Sequence, residues 1–450
     1  MDPLASAVSR RAFSGSVRVA PGEVKEVIGR HMILSDFGIV VDLSKSRGRR
    51  VVDAATGRTY LDFFSFYASS PLGMNHPKMR DQAFTEKLLR TAVCKPSNPD
   101  VYTTEIAEFV ETFYQVAVPE GFPHLFLVEG GALAVENAMK VAFDWKVRKN
   151  LAAGKGEKGS GILHFREAFH GRSGYTLSVT NTADPRKYLY YPRFPWPRIE
   201  NPKIRSSLDE TLASEKRAEA QIREAFDRSR DDIAAILIEP IQSEGGDNHF
   251  RPEFLRLLRR IADEKEALLV FDEVQTGLGL TGRMWAFQHA GAVPDILVFG
   301  KKVQVCGILA GTRVDEVERN VFVEGSRIGS TWGGNLTDMV RSTRYLEILS
   351  EERLVDNARD VGAHLLGRLK DLEKALPSQV SNVRGLGLLC AMDLPSAAER
   401  EKARKALYAE GLLILQCGEK GLRFRPPLDV TREEIDEGIG ILERVLKRTA

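Results

Sequence analysis

Between about residues 124 and 302, short apolar runs alternate with stretches of helical period. PHLFLVEGG reads as a strand ending in glycines. After it Val135, Ala138, Met139 and Ala142 fall at i, i+3, i+4 and i+7, which predicts a helix from about Leu133 to Lys149. GILHF, SEKRAEAQIREAFDRSR and DIAAILIEP repeat the strand–helix–strand order. PEFLRLLRRIADEKEA adds a helix with a proline near its start, and ALLVFDE and DILVFGKK are further strands. Strands this apolar bury both faces, so the order predicts an α/β fold with a mainly parallel sheet between helical layers. Such sheets gather ligand groups at the carboxyl ends of their strands. That singles out Glu129, Glu239, Asp272 and the Gly300-Lys301-Lys302 step.

Past Ser342 the texture changes. A helical stretch from Arg344 to Ala375 leads to VRGLGLLCAMDL and LLILQCGEKGLRFRPPL, which read as antiparallel strands. A helix from Arg432 to Lys447 closes the chain, and the segment from Arg30 to Phe66 again reads as strands and turns. The expected division is an N-terminal arm with part of a small domain (1–70), a large α/β domain (71–340), and the rest of a smaller α+β domain (341–450).

Composition removes several alternatives. With 64 Lys+Arg against 62 Asp+Glu the net charge is +2, which gives no electrostatic case for a nucleic-acid or acidic-membrane partner. A chain of 450 residues, 43% hydrophobic and 28% charged, is long enough to bury a core without disulfides or a structural metal. No run approaches the roughly 18 apolar residues of a membrane helix. Cys94, Cys306, Cys390 and Cys417 form no metal or redox motif and suggest buried thiols in a reducing compartment, the cytoplasm by default. The first residues carry Arg10, Arg11 and Arg18 with no acid between Asp2 and Glu23. They read as an arm crossing a partner subunit rather than as a transit peptide.

Gly277, Gly279 and Gly282 match G-x-G-x-x-G, but Asp272 to Thr276 separate them from the strand, so they read as a flexible loop. A stronger constellation joins Asp272 at a strand end, Gly300-Lys301-Lys302 at the next, Gly130-Gly131-Ala132 opening a helix, and Phe169-His170-Gly171-Arg172. Each piece alone is common. Together they meet the needs of pyridoxal phosphate: a lysine for the Schiff base and an acid for the pyridine nitrogen. Backbone N–H groups at a helix start suit the phosphate, and an aromatic suits the ring face.

FDEVQTG and PDILVFGKK resemble the class III (ω-amino acid) aminotransferases of fold type I, and the likeness spans essentially the whole chain. VEGGALAVENAMK, AFHGRSGYTLS, EPIQSEGGD, KKVQVCG, STWGGNLTDM and RFRPPL resemble the branch acting on the terminal amine of lysine. The resemblance implies a seven-stranded sheet, a homodimer with shared sites, and Lys301 as Schiff-base lysine, with Lys302 its rival. It implies Asp272 at the pyridine nitrogen, Gln275 at the phenolic oxygen, Phe169 over the ring and Glu239 just behind it. Gly131 and Ala132 would hold the phosphate, lacking the hydroxyl much of the class has there, and Thr331 would reach the partner subunit's phosphate. Arg172 would grip a remote carboxylate. Arg423, preferred over Arg425, would take the α-carboxylate of 2-oxoglutarate, and Glu244 would gate Arg423. Gly329 stands where relatives carry a hydrogen-bonding side chain, leaving fine selectivity open. The implied reaction moves the ε-amine of L-lysine to 2-oxoglutarate. Ornithine, diaminobutyrate or 4-aminobutyrate as donor, or a mutase or decarboxylase of this fold, are the alternatives.

Overall fold

The computed structural model describes residues 15–34 and 37–449, so Arg10 and Arg11 of the proposed arm lie outside the described residues. After a short helix (Val24–Gly29) comes a ribbon of β1 (Arg50–Val52) and β2 (Thr59–Asp62). The main sheet follows, built from β3 (His124–Val128), β4 (Gly161–Phe165), β5 (Arg198–Ile199) and β6 (Ile233–Ile238). A two-stranded hairpin, β7 (Ile241–Gln242) and β8 (Asn248–His249), interrupts it. β9 (Leu268–Asp272), β10 (Ile296–Phe299) and β11 (Cys306–Ala310) complete it. The seven strands lie in the order β3-β11-β10-β9-β6-β4-β5. Only β11 runs against its neighbours. This is the α/β, mainly parallel, fold type I architecture.

Successive residues of these strands feed two cores. In β9, Leu269 and Phe271 join one apolar cluster, and Leu268 and Val270 join the other. Helix Gly131–Ala152 covers the second face through Val135, Ala138, Met139, Ala142 and Trp145. Helix Pro252–Glu264 covers the first through Phe254, Leu255, Leu258 and Ile261. That two-sided burial is why the strands read as unbroken apolar runs.

A second, antiparallel sheet joins β12 (Ser381–Leu386), β13 (Leu389–Asp393), β15 (Leu415–Cys417) and β16 (Gly421–Phe424) in the order β12-β13-β16-β15. Between them β14 (Leu412–Leu413) pairs in parallel with β2, so the two ends of the chain share one small sheet.

Three expectations need correction. The stretch from Arg344 to Ala375 is two helices, Leu336–Glu351 and Leu354–Ala375. A single left-handed residue, Arg353 (φ 52), breaks the hydrogen-bond ladder there without interrupting the apolar pattern. The glycine-rich GLGLTG segment is packed, not flexible. Leu278 and Leu280 are buried in the core, and a Cβ at Gly277 would lie 2.4 Å from the Trp285 ring. Of the four free thiols, Cys390 and Cys417 are buried, Cys306 is partly buried and Cys94 is exposed. No helix of the described residues is long and apolar enough to cross a membrane.

Candidate active site

Parallel strands point their carboxyl ends to one edge, and most of the expected side chains gather there. A cavity of about 370 Å³ is lined by Gly131, Ala132, Phe169, Glu239, Asp272, Gln275 and Lys301, together with His170, Arg172, Glu244 and Cys306. Helix Gly131–Ala152 begins at this cavity behind Gly130, whose φ of +110 favours glycine. Its first N–H groups have no intrahelical acceptor and face the opening with the positive end of the helix dipole. Gly171 is equally constrained, since at φ +117 a Cβ would come 2.4 Å from the Ala132 Cβ. The FHGR turn and the helix start therefore pack backbone to backbone.

Opposite the helix start lies a buried acid cluster. Asp272 accepts from the Val274 N–H at 3.1 Å and lies 2.8 Å from Nδ1 of the buried His170. Glu239, just past β6, accepts from the backbone N–H groups of Phe169 (3.0 Å) and Ser243 (3.1 Å), tying the aromatic to the sheet edge. Burial pushes the Glu239 carboxyl up to about 7, with His170 pulling against it.

The two lysines separate cleanly. Lys301 reaches the cavity from a left-handed backbone position (φ 47), and burial, with Arg423 nearby, lowers its amine to about 8. Lys302 turns the other way and is 1% exposed, its Nζ donating to the Ala68 carbonyl at 2.7 Å. That carbonyl ends a run of four left-handed residues, Ser65 to Ala68 (φ 38 to 64), each costing roughly 1–2 kcal/mol for an L-residue. Asp62 accepts from the N–H groups of Phe64 (2.8 Å) and Ser65 (2.7 Å), and the Ser65 hydroxyl donates to the Arg425 carbonyl at 2.6 Å. These contacts hold the strained turn whose Tyr67 forms a cavity wall.

A second, adjoining cavity of about 570 Å³ contains Arg172, Glu244 and Arg423 alongside Phe169, Gln275 and Lys301. Glu244 sits in the loop joining β7 to β8 and accepts from Nη2 of Arg423 at 2.7 Å. Its other oxygen accepts from Lys187 at 2.5 Å. Burial alone would raise this carboxyl, but Arg423 and Lys187 outweigh it and hold Glu244 below the usual carboxylate range. Arg425 instead pairs with Asp247 at 2.5 Å, both fully buried. Arg172 is exposed to the cavity, its guanidinium 5.9 Å from the Phe169 ring centre, with no ion pair among the described residues.

Some expected residues stay outside. Thr331 is exposed and lines neither cavity; its carbonyl accepts from the Ser97 hydroxyl at 2.7 Å. Glu129 pairs with Lys95 at 2.9 Å instead of facing the site. A side chain at Gly329 would meet nothing within 4 Å. Sequence reasoning missed His170 and Lys187. His170 lies inside the FHGR motif, where only its neighbours drew a role, and Lys187 has the sequence surroundings of ordinary solvated charge.

The donor set fits pyridoxal phosphate: unpaired N–H groups at a helix start, a buried carboxylate backed by a histidine, and a buried amine of lowered basicity. Residues 35–446 match the sequence model of the class-III aminotransferases, and the chain belongs to that family. It is 51% identical to an L-lysine-epsilon aminotransferase of Mycobacterium tuberculosis over 98% of this chain and 99% of that protein. An enzyme of the same name from Amycolatopsis lactamdurans is 48% identical over 93% and 94%. Among solved structures, lysine aminotransferase from M. tuberculosis in the internal aldimine form superposes with TM-score 0.95 at 50% identity, covering 96% of this chain and all (100%) of that one.

Proposed function

We propose that the protein transfers the ε-amino group of L-lysine to 2-oxoglutarate with pyridoxal phosphate as cofactor. The products are 2-aminoadipate 6-semialdehyde, which cyclises to a piperideine carboxylate, and L-glutamate. The observation that carries this reading is the Arg423–Glu244 pair sharing one cavity with Arg172, which has no ion pair among the described residues. An ω-amine donor with one remote carboxylate needs one available cation, and a dicarboxylate needs two.

Bound pyridoxal phosphate supplies an aldehyde that takes up the amino group and a ring that accepts electrons from the reacting carbon. Gly131 and Ala132 would donate N–H groups to the phosphate, and Phe169 would cover the ring. Asp272, backed by His170, would keep a proton at the ring nitrogen, with Gln275 beside the phenolic oxygen and Glu239 fixing Phe169 from behind. Lys301 would hold the aldehyde at rest. Once released, its amine would take the proton from Cε of the substrate and pass it to the carbon that carried the aldehyde. Arg172 would hold the lysine carboxylate bidentately while Glu244 neutralises Arg423. In the second half Glu244 leaves Arg423, which receives the α-carboxylate of 2-oxoglutarate as Arg172 takes the distal one. The kinetics are ping-pong.

The exposure of Thr331 supports a homodimer in which it reaches the partner subunit's phosphate. Free cysteines support a reducing, cytoplasmic setting. The test is the visible spectrum of the purified protein titrated with L-lysine in the absence of a keto acid. Bleaching of a yellow band with accumulation of a cyclic imine is expected. Bleaching only by ornithine or 4-aminobutyrate would move the donor, and a colourless protein that takes up no cofactor would end the reading.

A further inference from the structure

Lys187 has no part in the amine-transfer steps, yet it touches the gate. The Asp184 carboxylate accepts from the Arg186 N–H at 3.1 Å and opens the short turn Pro185–Lys187. From that turn Lys187 reaches into the substrate cavity, its side chain 17% exposed and its Nζ 5.6 Å from the Phe169 ring centre. Glu244 is thus held by a cation on each oxygen: Lys187 on Oε1 from the large-sheet side, Arg423 on Oε2 from β16.

The two holds are unequal in consequence. Arg423 is 2% exposed and must be surrendered to the α-carboxylate of the incoming dicarboxylate. Glu244, half-buried, would then keep its charge in a confined space, where a carboxylate left without any cation is costly. Lys187 holds the other oxygen from a separate segment of the chain and need not move. We propose that Lys187 is the resting partner of the Glu244 gate: the displaced carboxylate stays paired with Lys187 while a dicarboxylate occupies Arg423. This lysine is a positioning residue that lowers the cost of opening for the second substrate. It also makes discrimination between the two substrates depend on a loop outside the β7–β8 hairpin. The inference rests on the proposed dicarboxylate acceptor.

Two unreactive probes separate the states. Glutarate carries both carboxylates and must open the gate, whereas hexanoate carries one and leaves Glu244 on Arg423. Isothermal titration of the holoenzyme should show glutarate binding weakened about tenfold by Lys187→Met, with hexanoate changed by less than about threefold. Lys187→Arg should restore most of the glutarate affinity. In a Glu244→Gln background, where no charge is displaced, Lys187→Met should cost less than about threefold. Unchanged or tighter glutarate binding in Lys187→Met would overturn the proposal, because the lysine would then hold the gate shut. So would an equal loss for hexanoate, or a tenfold loss that persists in the Glu244→Gln background. Failure of the acceptor reading has a different signature: wild-type enzyme bleached by lysine would regain no colour with 2-oxoglutarate and would not bind glutarate.

Discussion

At the scale of single residues the site is a set of titrations tuned by burial. Lys301 in the cofactor-free protein should carry its proton up to about pH 8, because burial and Arg423 disfavour the ammonium more than Asp272 supports it. Only the neutral amine adds to an aldehyde. Uptake of pyridoxal phosphate, followed by the growth of visible absorbance, should therefore accelerate as pH rises through about 8 and level off above it. Asp272→Asn removes the carboxylate proposed to face the ring nitrogen, and kcat with saturating lysine should fall at least about a hundredfold. Lys301→Ala should leave a protein with no stable yellow colour. Lys302→Met should stay yellow, because Lys302 is spent on the Ala68 carbonyl. Its loss would loosen the left-handed turn that carries Tyr67, and the expected signature is a raised KM for lysine.

At the scale of elements, the contact between the FHGR turn and the start of helix Gly131–Ala152 leaves no room for a methyl group. Gly171→Ala forces a φ of +117 on an L-residue and drives its Cβ against Ala132. A loss of about 1–3 kcal/mol in chemical denaturation and weaker cofactor retention on dialysis should follow. The same elements show what the sequence could disclose. Strand-ending groups such as Asp272, Glu239 and Lys301 were legible because parallel strands all release their last residues at one edge. The Lys301–Lys302 ambiguity needed coordinates, since the left-handed step that sends them apart leaves no mark in an apolar pattern. The break at Arg353 was hidden for a related reason: Leu349, Leu354 and Ala358 stay on the buried side across it. Lys187 was invisible because its partner Glu244 is 57 residues away. Glycines in GLGLTG signalled tight packing rather than freedom, a distinction that composition cannot make.

Across the whole molecule, buried ionisable groups oppose one another. Burial raises Asp62 to about 6 and Glu239 and Glu273 to about 7, so on these groups the native state holds protons the unfolded chain has lost. Their contribution to stability falls as pH rises from about 4.5 to 7. Burial also lowers His249 to about 4, and lowers His164 and His289, so there the unfolded chain holds the extra protons. Their contribution rises over much the same window. The melting temperature should therefore vary little between about pH 5 and 7. Glu273 accepts from the backbone of Ala286 and Phe287 and from the Thr276 hydroxyl. Glu273→Gln should melt lower overall but gain stability with rising pH, because the imidazoles are then less opposed; scanning calorimetry across that range checks both.

The parallel pairing of β14 with β2 ties the beginning of the chain to its end. Leu61 donates to the Gly411 carbonyl at 2.7 Å, Phe63 to Leu413 at 2.9 Å, and Arg425 back to Phe63 at 2.9 Å. During synthesis the residues of the large sheet emerge, and can fold, before Gly411, Leu413 and Arg425 exist. Gly131, Ala132 and Lys301 thus precede Arg423 and the fastened Tyr67 turn on the ribosome. A nascent chain stopped near residue 400 would carry Lys301, Arg172 and the Glu244 gate but not Arg423, the cation that gate covers, so the seat proposed for the second carboxylate is the last part of the site this polypeptide acquires.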